Sequence, residues 1–252
     1  MQRFFVTSPL TIDPIITDPD IVHQLTRVMR SQVGEMIMLF DGDGSEMIYE
    51  IVSITKKSLS LRGQERRFPK TEPERNISLY QAMPNKIEKI EYILQKWVEV
   101  GIRRFIFFRS DHSQKLIISD AKKVRLIAIA REALEQCGWL VMPKIEFFDQ
   151  VSVFHHLKGW RIQSSTEPEY GFSMPQDDGE VNIVLDTTGR SQKIEENRRN
   201  NSITIWVWPE GGWSEKERDK MKEYGFIFAR FWERVFRTET AGVVVAFAFL
   251  YA

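Results

Sequence analysis

The chain has 252 residues, 42% of them hydrophobic, and its 35 lysines and arginines balance 35 aspartates and glutamates. This composition excludes an intrinsically disordered chain, and the balanced charge excludes a uniformly basic surface for nucleic acid. No apolar run approaches the ~18 residues of a membrane span, and the amino-terminal stretch lacks the features of a signal peptide. The single cysteine cannot form an internal disulfide. We therefore expect a soluble cytoplasmic protein.

Residues 1–70 predict a small β-rich unit. Asp18 and Pro19 are typical of a helix amino terminus, with the aspartate as the cap. EMIMLF and EMIYEIVSI, joined by the DGDG turn, predict two paired strands, and SLSLRG predicts a third. Short strands with tight turns favour a small barrel. Residues 63–75 are charged and contain two prolines, which indicates a linker.

The remainder of the chain alternates between predicted strands and predicted helices. The strands are NISLYQA, RRFIFFRS, KIEFFDQ, VNIVLD, SITIWVW and FIFARF. The helices are NKIEKIEYILQKWVEV, residues 120–137, EKERDKMKEYG and the apolar TAGVVVAFAFL. This alternation predicts an α/β fold with a parallel sheet, in which ligands bind beyond the carboxyl ends of the strands.

The sequence does not support a calcium-binding loop, a zinc site or a nucleophilic cysteine. DGDGSE begins like a calcium-binding loop but lacks the required glycine and the final glutamate. Zinc is not supported by one cysteine and four histidines. Cys137 lacks the sequence context of a nucleophile and is interpreted as a small buried hydrophobic residue.

Two segments near the carboxyl end form the strongest candidate site. WPEGGWS, residues 208–214, places a tight turn at the end of a strand and before a helix that Ser214 and Glu217 begin as a capping box. RVFRTETAG, residues 234–242, lies one helix and one strand later, so both segments can meet at one sheet edge. The turn offers backbone N–H groups to a polar or anionic ligand. A plain turn and a capping ion pair remain the structural alternatives.

Six motifs resemble those of the RsmE family and occur in the same order as in that family. The RsmE proteins are SPOUT methyltransferases of the α/β-knot class. They are HQLTRVMR, LQKWVEVGI, SDHS, ALEQCGW, VWPEGGWS and FWERVFRTETA. The resemblance implies a PUA-like β-barrel for RNA binding over residues 1–70 and a knotted SPOUT domain over residues 74–252. It implies S-adenosyl-L-methionine as cofactor, a homodimer without metal or membrane, and methylation of N3 of a uridine in the 16S rRNA of the small ribosomal subunit.

The resemblance also implies the roles of individual residues. Arg237 and Glu239 are the expected catalytic residues, with the arginine stabilising charge on the uracil carbonyls. The expected cofactor-binding residues are Leu185, Trp208, Pro209, Glu210, Gly211, Gly212, Phe231, Trp232, Val235, Phe236, Arg237, Thr238 and Thr240. The expected RNA-binding residues are His23, Arg27, Arg30, Arg66, Arg67 and Lys96. Each of the RNA-binding residues has a plain alternative as a solvated surface charge.

Three tryptophans depart from the family motifs. Trp208 and Trp232 replace motif glycines, and Trp139 replaces an arginine. Glycine at such positions permits positive φ or close approach of a ligand, whereas an indole hinders both. One interpretation is an RNA-binding relative with little or no catalysis. Another is that UGA codons, which some bacterial lineages translate as glycine, have been translated as tryptophan. A third hypothesis is a SPOUT enzyme that modifies another RNA.

Overall fold

The computed structural model describes residues 1–148, 181–191 and 200–251, and the chain divides into two compact units. The first unit comprises Met1–Glu72 with Leu134–Met142, and the second comprises Pro73–Ala133 with Pro143–Ala252. The sequence did not indicate that Leu134–Met142 packs with the first unit. It is attached there by hydrogen bonds from Phe5 N–H to Glu135 Oε1 (2.9 Å) and from Leu140 N–H to Glu72 Oε1 (3.2 Å).

The first unit is built on a five-stranded mixed sheet with the strand order β1-β3-β4-β5-β2. A helix precedes β3, and the Asp18 carboxylate caps it by accepting hydrogen bonds from two backbone N–H groups, as the sequence predicts. A π-helical turn, Gln24–Val28, follows that helix. The elements are β1 (Gln2–Phe5), β2 (Ile15–Ile16), α1 (Pro19–His23), β3 (Met36–Phe40), β4 (Glu46–Ile54) and β5 (Leu59–Arg67).

The expected linker begins later than the sequence analysis placed it. Residues 63–67 continue β5, because the antiparallel ladder with β4 extends until Arg67 pairs with Glu46. The charged side chains of this stretch misled the prediction. They lie on the exposed end of a strand whose backbone still pairs with β4, apart from a register shift between Gly63 and Glu65.

The second unit contains a six-stranded sheet with the order β11-β9-β10-β6-β7-β8, in which every pair is parallel, as predicted. Gly101 ends the first helix of this unit in a left-handed conformation, with φ of 101°. The elements are β6 (Asn76–Ala82), α2 (Ile87–Val100), β7 (Arg104–Phe108), α3 (Asp120–Cys137), β8 (Lys144–Phe148), β9 (Val181–Ser191), β10 (Ser202–Val207), α4 (Glu215–Glu223), β11 (Ile227–Arg230) and α5 (Thr238–Tyr251).

The sheet core explains why these strands are so apolar. Trp206 stacks on Tyr80 with ring centroids 4.3 Å apart, and its indole N–H donates to Asn182 Oδ1 at 2.9 Å. All six residues of β10 are buried, as expected for a strand covered on both faces of a parallel sheet. The last two residues of the predicted strand KIEFFDQ lie outside the described residues. Among the described helices, none is long and apolar enough to cross a membrane.

An ion pair on neighbouring strands gives the second unit a pH-dependent stability. Burial would raise the pKa of the Glu146 carboxyl, but Arg104, 2.8 Å away and well buried, and Lys144 together hold that pKa below its ordinary value. A depressed carboxyl pKa stabilises the fold above the unfolded-state pKa, and this contribution is lost as the pH falls through the folded-state value.

We therefore expect the urea concentration at the unfolding midpoint to decrease as the pH is lowered from about 6 to about 4. Glu146→Gln should make this midpoint less dependent on pH. The same variant should lower the free energy of unfolding at neutral pH by about 1–3 kcal/mol, because Arg104 loses its charge-assisted hydrogen bonds to the Glu146 carboxylate. Glu99→Gln is the control, since Glu99 and Lys96 form a largely exposed pair. An identical pH profile for Glu146→Gln and the parent would contradict this expectation.

Candidate functional site

The turn after β10 is held by its own backbone and by the helix that follows it. Gly212 N–H donates to the Pro209 carbonyl at 2.9 Å, and Gly212 has a φ of +74°. The Ser214 hydroxyl and the Glu217 carboxylate form the predicted reciprocal capping box at the start of α4. The sequence therefore predicted both the turn and the beginning of the helix correctly.

His112 anchors this turn, which the sequence analysis did not predict. Its Nδ1 lies 3.1 Å from the carbonyl oxygens of both Gly211 and Gly212. Two carbonyls can only accept, so Nδ1 carries the proton. Asp111 N–H also donates to Glu217 Oε1 at 2.9 Å, which ties the segment after β7 to the start of α4. The histidine within the motif SDHS was the signal available in the sequence.

Gly211 is required here by space rather than by backbone conformation. A Cβ on Gly211 would lie 2.9 Å from the Cβ of His112, whereas a Cβ on Gly212 would meet nothing within 4 Å. We expect Gly211→Ala to lower the free energy of unfolding by about 1–3 kcal/mol, because the turn must move away from His112. Gly212→Asn is the control, because asparagine tolerates positive φ. Urea unfolding of both variants tests this, and an unchanged midpoint for Gly211→Ala would refute it.

The two motif segments meet at the carboxyl edge of the sheet, as predicted. Thr238, the first residue of α5, donates its hydroxyl hydrogen to the Trp208 carbonyl at 2.5 Å. The same Thr238 Oγ accepts a hydrogen bond of 2.9 Å from Nε2 of Gln81, which lies on β6. These two hydrogen bonds form a relay, Gln81–Thr238–Trp208, that joins β6, the start of α5 and the segment after β10. Gln81 was not among the predicted site residues.

A charged cluster lies beside this relay. Lys89 Nζ on α2 is 2.6 Å from Glu210 Oε1 and 3.8 Å from Glu239 Oε2. Asn85 N–H donates to the same Glu210 oxygen at 3.1 Å. Burial would raise the pKa of the Glu210 carboxyl, but the hydrogen bonds from Lys89 and from the backbone outweigh burial and hold that pKa below its ordinary value. Glu210 is therefore an ionised carboxylate that attaches the turn to α2.

A cleft is lined by residues of β9 and β11, by Trp208 just after β10 and by the segment that leads into α5. Trp208 and Trp232 both line it, and Trp232 packs edge-on against Phe236 with ring centroids 5.3 Å apart. The full lining is Leu185, Asp186, Thr187, Trp208, Ala229, Arg230, Phe231, Trp232, Glu233, Arg234, Val235, Phe236, Ala241 and Val245.

Comparison with known proteins identifies the family of this chain. Residues 71–250 match a model described as an RNA methyltransferase domain, and residues 16–62 match an RNA methyltransferase PUA domain. The chain belongs to the RNA methyltransferase family. Both matches agree with the PUA-like and α/β fold expected from the motifs.

Relatives of this methyltransferase include ribosomal RNA small subunit methyltransferase E of Bacillus subtilis, 29% identical over all of this chain and 96% of that protein. The protein of the same name from Buchnera aphidicola is 27% identical over 88% of this chain and 81% of the relative. A crystal structure of ribosomal RNA small subunit methyltransferase E from Neisseria gonorrhoeae, bound to S-adenosyl methionine, has a TM-score of 0.79. It is 24% identical and covers 98% of this chain and 95% of that one. The predicted resemblance to the RsmE family is confirmed.

The cleft is lined by only part of the predicted cofactor-binding set. Leu185, Trp208, Phe231, Trp232, Val235 and Phe236 line it. The other predicted residues do not: Pro209, Glu210, Gly211, Gly212, Arg237, Thr238 and Thr240. They form the turn and the start of α5 instead. Asp186 and Arg230 also line the cleft and were not among the predicted residues, although both lie near the ends of predicted strands, where ligands bind in parallel sheets.

The two departures from motif glycines do not strain the backbone. Arg30, with φ of 56°, is the non-glycine residue with positive φ within the described parts of the chain, so Trp208 and Trp232 have ordinary conformations. Positive φ is therefore not required at either position, and the effect of the indoles is a matter of space in the cleft. Trp139 is buried in the first unit and does not line the cleft.

The predicted RNA-binding residues differ in how they are held. His23, Arg27 and Arg30 are exposed near α1. Arg66 pairs with Asp43, Arg67 with Glu65 and Lys96 with Glu99, at 2.7, 2.7 and 2.9 Å. Each of those three cations is already held in an ion pair with a carboxylate. No group of three metal-ligating side chains occurs in the described ranges.

Proposed function

We propose that this methyltransferase uses S-adenosyl-L-methionine to methylate N3 of a uridine in 16S rRNA of the small ribosomal subunit. The supporting observation is the cleft at the carboxyl edge of the parallel sheet, beside the meeting point of WPEGGWS and RTETA. The names of the relatives support a ribosomal RNA substrate. The proposed ribosomal substrate also implies a cytoplasmic location.

The cleft has features suited to the cofactor. Nine of its fourteen lining residues are apolar or aromatic and five are polar or charged, a composition similar to that of most small-molecule sites. S-adenosyl-L-methionine would supply an electrophilic methyl group on a sulfonium. We propose that the six lining residues of the predicted set hold it, with the 209–212 turn and the start of α5 supporting them from behind.

The charged residues at the start of α5 suit the proposed chemistry. Neutral uracil carries a proton on N3, which must leave as the methyl arrives, and negative charge develops on the flanking carbonyls. Arg237 is exposed and is proposed to stabilise that charge. Glu239 is proposed to accept the proton, because its Oε2 has no hydrogen-bond donor among the described residues. Glu210 is a weaker candidate, because Lys89 and Asn85 already hold it.

Binding of the ribosomal substrate is proposed to use five residues of the first unit and Lys96 on α2 of the second unit. The residues that would contact phosphates are His23, Arg27, Arg30, Arg66, Arg67 and Lys96. We also propose the homodimer and the knot of the SPOUT class. Phe247 and Tyr251 on α5 are 54% and 55% exposed, which supports an apolar contact between two copies.

A second function is favoured by one observation. Because Trp208 and Trp232 both occupy the cleft wall, the chain could bind ribosomal RNA while binding the cofactor weakly and turning over little. An active methyltransferase and an RNA-binding protein with little turnover would both bind RNA. Only the active methyltransferase would form a methylated nucleoside.

Incubation with small ribosomal subunits that lack uridine methylation, followed by mass spectrometry of the nucleosides, tests the proposal. We expect 3-methyluridine to form when S-adenosyl-L-methionine is present. RNA binding without a methylated product would favour the second function. A different methylated nucleotide would show a SPOUT enzyme that acts on another RNA target.

A further inference from the structure

The donors of the Gln81 carboxamide are fully used. Nε2 donates to the Ala82 carbonyl and to Thr238 Oγ, both at 2.9 Å. A primary amide has two N–H donors, so neither remains available. Gln81 is itself fully buried at the carboxyl end of β6.

The hydroxyl of Thr238 fixes which way this carboxamide points. Its single hydrogen is donated to the Trp208 carbonyl, so Thr238 Oγ can only accept from Gln81. A flipped amide would present an oxygen to that hydroxyl, and no hydrogen would lie between the two atoms. The nitrogen must therefore face Thr238, and Oε1 must face away from it.

Gln81 Oε1 is consequently a buried acceptor to which no donor within the described ranges hydrogen-bonds. Two further buried acceptors without hydrogen-bond donors belong to the same network. They are Asn85 Oδ1, whose backbone N–H binds Glu210, and Glu239 Oε2, which neighbours Thr238 in the chain. Buried acceptors without a donor destabilise a fold, and such groups in a native protein point to a missing partner.

We propose that Gln81 Oε1 accepts a hydrogen bond from an N–H group of the bound ligand, which makes Gln81 a binding residue of the methyltransferase site. This inference rests on the proposed function. The donor is the α-ammonium group of the methyl donor. That group carries three N–H donors, and the network contains several buried acceptors that lack one.

Gln81→Met and Thr238→Val form a matched pair of variants. Both break the hydrogen bond between Gln81 Nε2 and Thr238 Oγ, but only Gln81→Met removes the Oε1 acceptor. Thermal unfolding followed by circular dichroism verifies that each variant folds.

Calorimetry of two nucleosides binding to the full chain tests the role of Gln81 Oε1. S-adenosylhomocysteine carries the α-ammonium group, and methylthioadenosine lacks it. We expect Gln81→Met to weaken S-adenosylhomocysteine binding at least about tenfold more than Thr238→Val does. Methylthioadenosine should be weakened equally by both variants. The rate of uridine methylation at saturating donor is the third measurement.

Each result decides the proposal. An excess loss of S-adenosylhomocysteine binding in Gln81→Met, without an excess loss of methylthioadenosine binding, supports the inference. Equal effects of the two variants on S-adenosylhomocysteine binding would overturn the inference and leave the proposed function intact. A parent chain that binds neither nucleoside and methylates nothing would refute both.

Discussion

Replacing Trp208 and Trp232 together with glycine is expected to strengthen the binding of S-adenosyl-L-methionine by about a hundredfold or more. Both indoles line the cleft, and overpacking costs typically about 1–3 kcal/mol at each site. Since about 1.4 kcal/mol corresponds to a tenfold change in affinity, two such sites reach that factor. Isothermal titration calorimetry on the parent and the double variant measures it.

The matched control is the double variant Trp208→Phe, Trp232→Phe, which keeps aromatic rings in the cleft wall. It should gain less affinity than the glycine variant. Micromolar binding by the parent, with no gain in the glycine variant, would show that the indoles are accommodated. The codons of the gene test the separate hypothesis of UGA translation, which fails if positions 208 and 232 are not encoded by UGA.

Arg237→Ala is expected to lower kcat for uridine methylation by about 10²–10³-fold, with little change in cofactor affinity. Removing one group that stabilises developing negative charge has an effect of that size. Arg237 is exposed and does not line the cleft, so the cofactor should be bound as before. Single-turnover methylation of the small ribosomal subunit, in the background that binds the cofactor best, measures the change.

Arg234→Ala is the control for this prediction, because Arg234 is an exposed arginine three positions earlier that does line the cleft. It should alter cofactor affinity more than kcat. Arg237→Lys should recover part of the rate, since it keeps the charge but not the planar donor fork. Wild-type kcat in Arg237→Ala would remove Arg237 from the mechanism.

Tertiary contacts distinguish the two carboxylates of the site, Glu210 and Glu239, as candidates for proton transfer. The sequence analysis expected Glu239 to be catalytic and Glu210 to bind the cofactor, and it did not assign the proton acceptor. In the structure Lys89 Nζ lies 2.6 Å from Glu210 Oε1 and 3.8 Å from Glu239 Oε2. Asn85 N–H donates a hydrogen bond to Glu210. The electrostatic attraction and the hydrogen bonds both stabilise ionised Glu210. Glu239 therefore remains the better candidate for proton transfer.

Local signals in the sequence were sufficient for the elements that surround the site. The turn at 209–212, the capping box at Ser214 and the parallel strands were all predicted, because each depends on residues close together in the chain. The convergence of the two motifs was also predictable, since carboxyl ends of parallel strands share an edge. The motifs further identified the RNA methyltransferase family.

Only the tertiary structure decided which distant side chains complete the site. Gln81 reaches Thr238 across 157 positions of the chain, and His112 reaches Gly211 across 99. Neither contact leaves a periodic or local pattern, because it depends on how the strands are ordered in the sheet. The same holds for the indoles of Trp208 and Trp232, whose backbone is ordinary and whose effect arises from the space that both occupy in one cleft.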